Sequence, residues 1–488
     1  MASTLKFLPA ICRVVAELAP TSDSAIRVEL WMPADQWNGK FRGQGNGGFA
    51  GEFNYWLLAL SVFNGYASAA TDTGHSANVG DATWAKGHPE KIAEFGYRAI
   101  HLMTVRSKEI LAAHYGTAAK HSYFAACSDG GREALMEAQR FPADYDGILA
   151  GDPSHDWTGL LTNGLHNAQA LMATPGSYIP PGKLATISSA VLAACDGLGQ
   201  NAGKAQDGVA DGILNDPEAC HFEPSSLLCK KEDSNDCLTA PQVKTLETIY
   251  AGTRTSDGKQ IFPGLAVGGE ADPGGWNPWI TTTEPGKSYT SGLVSAYFTN
   301  MVFPAAKPPF DLKTASIDDA FKAANSITAA DLNATNPDLK PFFSRGGKLI
   351  VYQGWSDPIS SPYSTIDYYN AVERVTGKEA TESSVRLYMV PGMDHCLGGP
   401  GASSFGTFGW LRTQGPDDPK RDVYLALEQW VEGGMPPGEI IATKYDGSPT
   451  PDHVEMTRPL CPYPQVAKYK GSGDMKQAAS FTCAAPER

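Results

Sequence analysis

The chain has 488 residues, 42% hydrophobic and 19% charged, the balance of a soluble globular protein long enough for two domains or one large domain with an insertion. Its 53 acidic against 39 basic side chains leave a formal charge of −14, so nucleic acid and anionic membrane surfaces are not expected partners. No uninterrupted run of about 18 apolar residues offers a membrane span.

The opening stretch, MASTLKFLPAICRVV, holds one lysine and a short apolar patch before an apparent strand, without the segments of a signal peptide. Either the protein works inside the cell or the sequence begins after a removed leader. IRVELWMP (26–33) reads as a strand, KFRGQGNGG (40–48) as a strand entering a glycine-rich turn, and NGYASAATDTG (64–74) as a buried strand. PEKIAEFGYRAIHLMTVRSKEILAAHYG (89–116) starts with a first-turn proline, carries apolar residues at helical spacing and stops at Gly116, which predicts one helix. HSYFAAC (121–127) is a short buried strand, GREALMEAQRF (131–141) a helix, and YDGILAGDP (145–153) a strand ending in a turn. Such alternation implies a mostly parallel, doubly wound α/β sheet with helices on both faces.

The pattern breaks after about residue 154, where Gly, Pro, Ser, Thr and most of the cysteines accumulate around scattered helices such as APQVKTLETIYAGT (240–253). It resumes with GKLIVYQGWSDP (347–358) and SVRLYMVPGMDHC (384–396), and DVYLALEQWVEGG (422–434) is a capped amphipathic helix. The expected organisation is therefore an α/β domain in two parts, 1–154 and 341–488, interrupted by a large insertion, 155–340. Nine cysteines favour an oxidising compartment. Cys229 and Cys237, and Cys461 and Cys483, lie close in pairs, while Cys195 and Cys220 flank a Gly- and Asp-rich loop, spacing that suits short disulfide-closed loops. Zinc is the alternative, although no CxxC or clustered histidine accompanies them.

Reactive groups of a doubly wound sheet collect in loops at the carboxyl ends of its strands. In YFAACSDGGREALMEAQRF, Ser128 stands between strand and helix among small residues, with Ala126-Cys127-Ser128-Asp129-Gly130 in place of the usual G-x-S-x-G. That corner permits the strained elbow which lifts a serine Oγ clear of the backbone. Asp357 follows the strand LIVYQG, and His395 follows RLYMVPG. Serine, acid, histidine is the chain order of the α/β-hydrolases. His395 is then expected to take the Ser128 proton and later deliver one to the leaving alcohol, while Asp357 holds the imidazole tautomer and stabilises its cation. Each residue also has an ordinary reading (an N-cap serine, a common turn, a structural histidine), and their joint placement is what favours the triad. Asp394 is the rival acid but lacks a strand end of its own. Cys127 precedes Ser128 and Cys396 follows His395, so if the triad forms the two sulfurs come within bonding reach and a disulfide would hold serine and imidazole in register.

Cys-Ser, Asp and His-Cys, with GNGGFAG upstream and RPLCPYPQVAKYKGSGD near the end, resemble the tannase and feruloyl esterase family of α/β-hydrolases over nearly the whole chain. The resemblance implies the α/β-hydrolase fold, the triad Ser128, Asp357 and His395, pairing of Cys127 with Cys396, and a lid domain in the insertion. The oxyanion hole is expected from the Asp129 backbone N–H and one from Gly47 or Gly48; the GNGG stretch is otherwise a plain turn. In KAQDGVADGILNDP (204–217), Asp207 and Asp211 between glycines suit a hard cation such as calcium. The family's lid calcium site resembles this loop, but its spacing puts Lys204, which is no ligand, where a carboxylate belongs. Asp196 fills that role if the intervening residues loop out, and the carbonyls of Val209 and Ile213 complete the set; a solvated turn is the other reading. The family pairs Cys12 with a cysteine further toward the amino terminus, which suggests a missing leader and hence a secreted or periplasmic protein.

The expected activity is hydrolysis of aromatic-acid esters of feruloyl or galloyl type through an acyl-enzyme, with no organic cofactor. The aromatics Trp276, Trp279, Tyr289, Tyr297 and Phe298 offer a wall for a flat ring, with lid core as their other reading. A terephthalate monoester is less expected, because no arginine lies between Arg254 and Arg345 and only Lys287 or a hydroxyl could replace the family's lid arginine. A general lipase or aliphatic esterase and a non-catalytic binding module are the remaining alternatives. Asn333 in NAT is a glycosylation sequon.

Overall fold

The computed structural model describes residues 8–197, 207–407, 418–447 and 451–486. The strands, in chain order, are β1 (Ile11–Leu18), β2 (Ile26–Pro33), β3 (Lys40–Gln44), β4 (Ala67–Thr71), β5 (His121–Cys127), β6 (Gly147–Gly151), β7 (Thr253–Arg254), β8 (Gln260–Phe262), β9 (Lys348–Gly354) and β10 (Val385–Val390). Eight of them form one sheet in the order β1-β2-β4-β3-β5-β6-β9-β10. The β1–β2 and β2–β4 pairs are antiparallel, and every pair from β4–β3 onward is parallel.

Side chains alternate across this sheet, so each apolar strand feeds two cores. Phe124, Ile148, Val351 and Leu387 pack on one face with Met103, Leu135 and Val372 of the helices Ala99–Tyr115, Asp129–Arg140 and Pro362–Thr376. Tyr123, Leu149, Ile350 and Tyr388 pack on the other with Leu427 and Trp430 of the helix Val423–Gly433. The single helix expected over 89–116 is instead Pro89–Ala93, a π turn over Glu94–Arg98, and Ala99–Tyr115, ending as expected at Gly116 with φ 71°. The Arg132 guanidinium explains the interruption. It donates to the carbonyls of Gly96 and Phe95 at 2.7 and 3.1 Å, drawing them out of the helical ladder.

Because β6 and β9 are adjacent and parallel, all of 152–347 is the connection between two neighbouring strands. Its helices build two apolar clusters. One gathers Leu165, Val294 and Phe298 against Phe49 and Phe95, and the other gathers Ile187, Val191, Leu246 and Trp276. Two further hairpins, β11 (Ile440–Tyr445) with β12 (Val454–Leu460) and β13 (Val466–Tyr469) with β14 (Phe481–Ala484), close the chain. Disulfides join Cys195–Cys220, Cys229–Cys237 and Cys461–Cys483, which overturns the zinc alternative; the Cys12 thiol is free. Among the described residues no helix is long and apolar enough to cross a membrane.

Candidate active site

The turn after β5 sets the serine. Ser128 has φ 66° and ψ −123°, a left-handed backbone uncommon for a residue with a Cβ. The elbow is held from three sides. The Ser128 N–H donates to Gly151 C=O at 3.0 Å, and its own carbonyl accepts from the N–H groups of Arg132 and Ser154, each at 3.2 Å. The surrounding small residues are required by close approach: a Cβ on Gly130 would meet Ala126 Cβ at 2.5 Å, and one on Gly45 would meet it at 2.6 Å. Alanine at 126 is thus accommodated because its two neighbours in space are glycines.

The strand ends then meet. His395 Nε2 lies 2.8 Å from Ser128 Oγ, and Nδ1 lies 2.7 Å from Asp357 Oδ2. Asp357 is buried; its Oδ1 accepts from the N–H groups of Ile359 and Ser360 at 2.8 and 2.9 Å, and Oδ2 also accepts from Gln353 Nε2 at 3.1 Å. With both Asp357 oxygens accepting, Nδ1 donates to Oδ2 and Nε2 is left as the acceptor facing the serine hydroxyl. Asp394 turns the other way, accepting from Gly274 N–H at 3.2 Å, and is pushed up to about 8 by burial and by Asp272. Cys127 and Cys396 are bonded, with Cα atoms 6.0 Å apart across a sequence separation of 269.

Of the two candidate glycines, Gly47 has open space around its Cα, whereas a Cβ on Gly48 would stand 2.2 Å from the Val79 carbonyl. Gly47 lines a cavity of about 450 Å³ beside Ser128, walled by Phe53, Tyr55 and Val79, with Arg42 and Glu52 among its polar lining. The loop is tied to the helix Asp129–Arg140: Asn46 N–H donates to Glu133 Oε2 at 2.9 Å, and Gly130 N–H to Asn46 C=O at 2.9 Å. The Asp129 side chain points into the core, paired with Arg132 at 2.6 Å, so only its backbone is available to a ligand.

The five aromatics separate by position. Trp276, Tyr297 and Phe298 are buried in the two apolar clusters that the insertion's helices build. Trp279 stands edge-on to His395, ring centres 5.5 Å apart, and the exposed Tyr289 lies beside it. Lys287 is exposed. Asn333 donates its amide to Asp156 Oδ1 at 3.2 Å and Thr158 Oγ1 at 2.9 Å, so the sequon's nitrogen is engaged inside the fold. Two residues at the site carry no motif: Asp152 at the end of β6 and Gln353 in β9, which donates to both Asp152 and Asp357. Asp152 shares one legible feature with the triad residues, a place just beyond a strand.

In the acidic loop, Asp196 accepts from Gly212 N–H at 2.7 Å, Asp207 from Val209 N–H at 2.9 Å, and Asp211 from Ile213 N–H at 3.2 Å. Burial, with their mutual repulsion, pushes Asp196 up to about 7 and Asp207 up to about 6. The loop's negative charge suits a cation, but the three carboxyls do not come within 4.8 Å of one another, and Arg458 already pairs with Asp211 at 2.5 Å. Lys204 lies outside the described residues.

The chain matches the family model for tannase and feruloyl esterase over residues 12–484. It is 40% identical to an uncharacterised esterase of Xanthomonas campestris over 506 residues, covering 99% of this chain and 85% of the relative. It is 31% identical to the mono(2-hydroxyethyl) terephthalate hydrolase of Piscinibacter sakaiensis over 547 residues, covering 98% and 85%. The crystal structure of feruloyl esterase B from Aspergillus oryzae superposes with a TM-score of 0.86 at 28% identity, over 97% of this chain and 91% of that one.

Proposed function

The chain belongs to the tannase and feruloyl esterase family of α/β-hydrolases and is a carboxylic ester hydrolase, and we propose that it cleaves esters of aromatic acids through an acyl-enzyme on Ser128. The observation that carries this reading is the Oγ–Nε2 contact of 2.8 Å continued by the Nδ1–Oδ2 contact of 2.7 Å. Ser128 Oγ attacks the ester carbonyl as its proton passes to His395 Nε2. The tetrahedral oxyanion accepts from the N–H groups of Asp129 and Gly47, a donor pair of the kind worth roughly 10²–10³ in rate per donor. Collapse expels the alcohol, which takes the proton from Nε2. Water, deprotonated by the same nitrogen, then attacks the acyl carbonyl and releases the acid and Ser128. Asp357 holds the Nδ1–H throughout, and acidification stops the cycle because a protonated imidazole cannot accept the serine proton.

Support for a flat acyl group comes from Phe53 and Tyr55 in the cavity wall and from Trp279, edge-on to the imidazole; the inserted 155–340 segment serves as the lid that brings Trp279 there. The 31% identity to a terephthalate monoester hydrolase favours that substrate as a second reading. The test is a panel of methyl ferulate, methyl gallate, a terephthalate monoester and p-nitrophenyl butyrate. kcat/KM should be highest on one of the two aromatic methyl esters, and Trp279→Ala should raise KM for it about tenfold, the scale of one lost aromatic contact. Preference for the butyrate ester would mean an aliphatic esterase.

The four disulfides suit a secreted or periplasmic protein. Calcium, held by Asp196, Asp207 and Asp211 with the carbonyls of Val209 and Ile213, would neutralise the crowded carboxyls and brace the lid; it takes no part in chemistry. Chelation should lower the thermal midpoint, and calcium at a hundredfold its Kd should restore about 2.7 kcal/mol of stability. Asp207→Ala should abolish that response; a midpoint indifferent to both chelator and calcium would remove the ion from the account.

A further inference from the structure

Behind the imidazole lies a carboxyl that ester cleavage as derived above leaves unused. Asp152 follows β6, the strand between β5 and β9, and is 0% exposed. Its φ of 37° is in the left-handed region, a conformation that persists at a non-glycine only where surrounding structure imposes it. The imposing bonds are visible. Asp152 N–H donates to Tyr352 C=O at 2.8 Å, and Oδ1 accepts from Gly354 N–H at 2.8 Å and Gln353 Nε2 at 3.0 Å. Gln353 is itself fixed by Thr365, whose hydroxyl donates to Oε1 at 2.8 Å. The other oxygen lies against the bridge beside His395: Oδ2 is 3.6 Å from Cys127 Sγ, and an Asp152 oxygen and the sulfurs of Cys127 and Cys396 lie within 4.8 Å of one another. One oxygen of Asp152, one of Asp357 and one nitrogen of His395 lie within 4.8 Å of one another.

We propose that Asp152 is a positioning residue for ester cleavage: as the uncharged acid, its carboxyl joins the strand end bearing Asp357 to the disulfide loop bearing His395. This rests on the Ser128–His395–Asp357 reading. Two enclosed carboxylates so close cannot both ionise beside a single imidazole. Asp357 receives four N–H donors, from Ile359, Ser360, Gln353 and His395, so the charge belongs there and the proton on Asp152. Burial and then the charge of Asp357 hold the Asp152 carboxyl well above the ordinary range. The arrangement keeps one negative charge, on the oxygen facing Nδ1, where the imidazolium forms.

Asp152→Asn retains the shape, an acceptor and a donor without a charge. Its kcat on a p-nitrophenyl ester should stay within about threefold of wild type, whereas Asp152→Ala should lose about thirtyfold or more in kcat with KM nearly unchanged, the signature of misplaced groups rather than lost binding. A kcat for Asp152→Asn as low as that of Asp357→Asn overturns the uncharged state. Wild-type kcat in Asp152→Ala overturns the positioning role. If the alanine variant does not fold, infrared spectra decide: one carboxylic-acid band of the wild type should vanish in Asp152→Asn, and an unchanged spectrum overturns the proposal. Ser128→Ala in the same assay separates the two readings, since its activity would overturn the triad whatever the Asp152 variants do.

Discussion

Ser128→Ala is expected to lower kcat for an aromatic ester by roughly 10⁴-fold or more, the usual consequence of removing the nucleophile from such a triad. The serine side chain makes no capping bond to its helix, and its interaction is with His395 Nε2 at 2.8 Å. Losing that one bond should change stability by only about 1 kcal/mol. The variant should therefore fold, keep its disulfides and bind substrate with nearly unchanged affinity. The elbow backbone is held by Gly151, Arg132 and Ser154, none of which needs the hydroxyl.

The second large effect is expected from opening the Cys127–Cys396 bridge with paired alanine substitutions. Closing a loop across a separation of 269 removes denatured-state entropy equivalent to about 5.6 kcal/mol in the chain-entropy account. The bridges Cys195–Cys220 and Cys229–Cys237 lie inside that loop, but separations of 25 and 8 shorten it too little to matter to a logarithm. Activity should fall further than stability alone implies. The two half-cystines adjoin Ser128 and His395, the proposed reacting groups, and a displacement of about 1 Å between Oγ and Nε2 can lower the rate roughly 10²-fold. Urea unfolding and kcat measured at low urea separate the effects: the midpoint reports the lost cross-link, and the turnover of the still-folded fraction reports the misplacement. A double variant with wild-type turnover per folded molecule would mean that the strand ends hold the register unaided.

The sheet and the meeting of Ser128, Asp357 and His395 are legible in the residue order because each of these side chains follows a strong apolar run, and strand ends on one edge of a parallel sheet converge. The insertion is legible from its change of composition, and the disulfides from spacing. What stays hidden depends on meetings between distant segments. Asp152 sits in GDP, indistinguishable from a turn until β6 is placed between β5 and β9. Gln353 looks like a strand residue, and only its neighbours make it a bridge between two carboxyls. Gly47 differs from Gly48 through the Val79 carbonyl, and Trp279 from Trp276 through which way a short helical turn faces. Arg458 reaches Asp211 from 247 residues away, which no inspection of the acidic loop anticipates. The π turn at Glu94–Arg98 follows the same rule, since the guanidinium that opens the helix belongs to the next one.

Which side chain is the nucleophile decides the mechanism. Treatment with a fluorophosphonate, followed by peptide mass mapping, reads this directly. One adduct per chain, on the peptide containing Ser128 and absent from both Ser128→Ala and His395→Ala, is the predicted result. An adduct on another residue of an enzyme thereby inactivated, or labelling that survives Ser128→Ala, would contradict it.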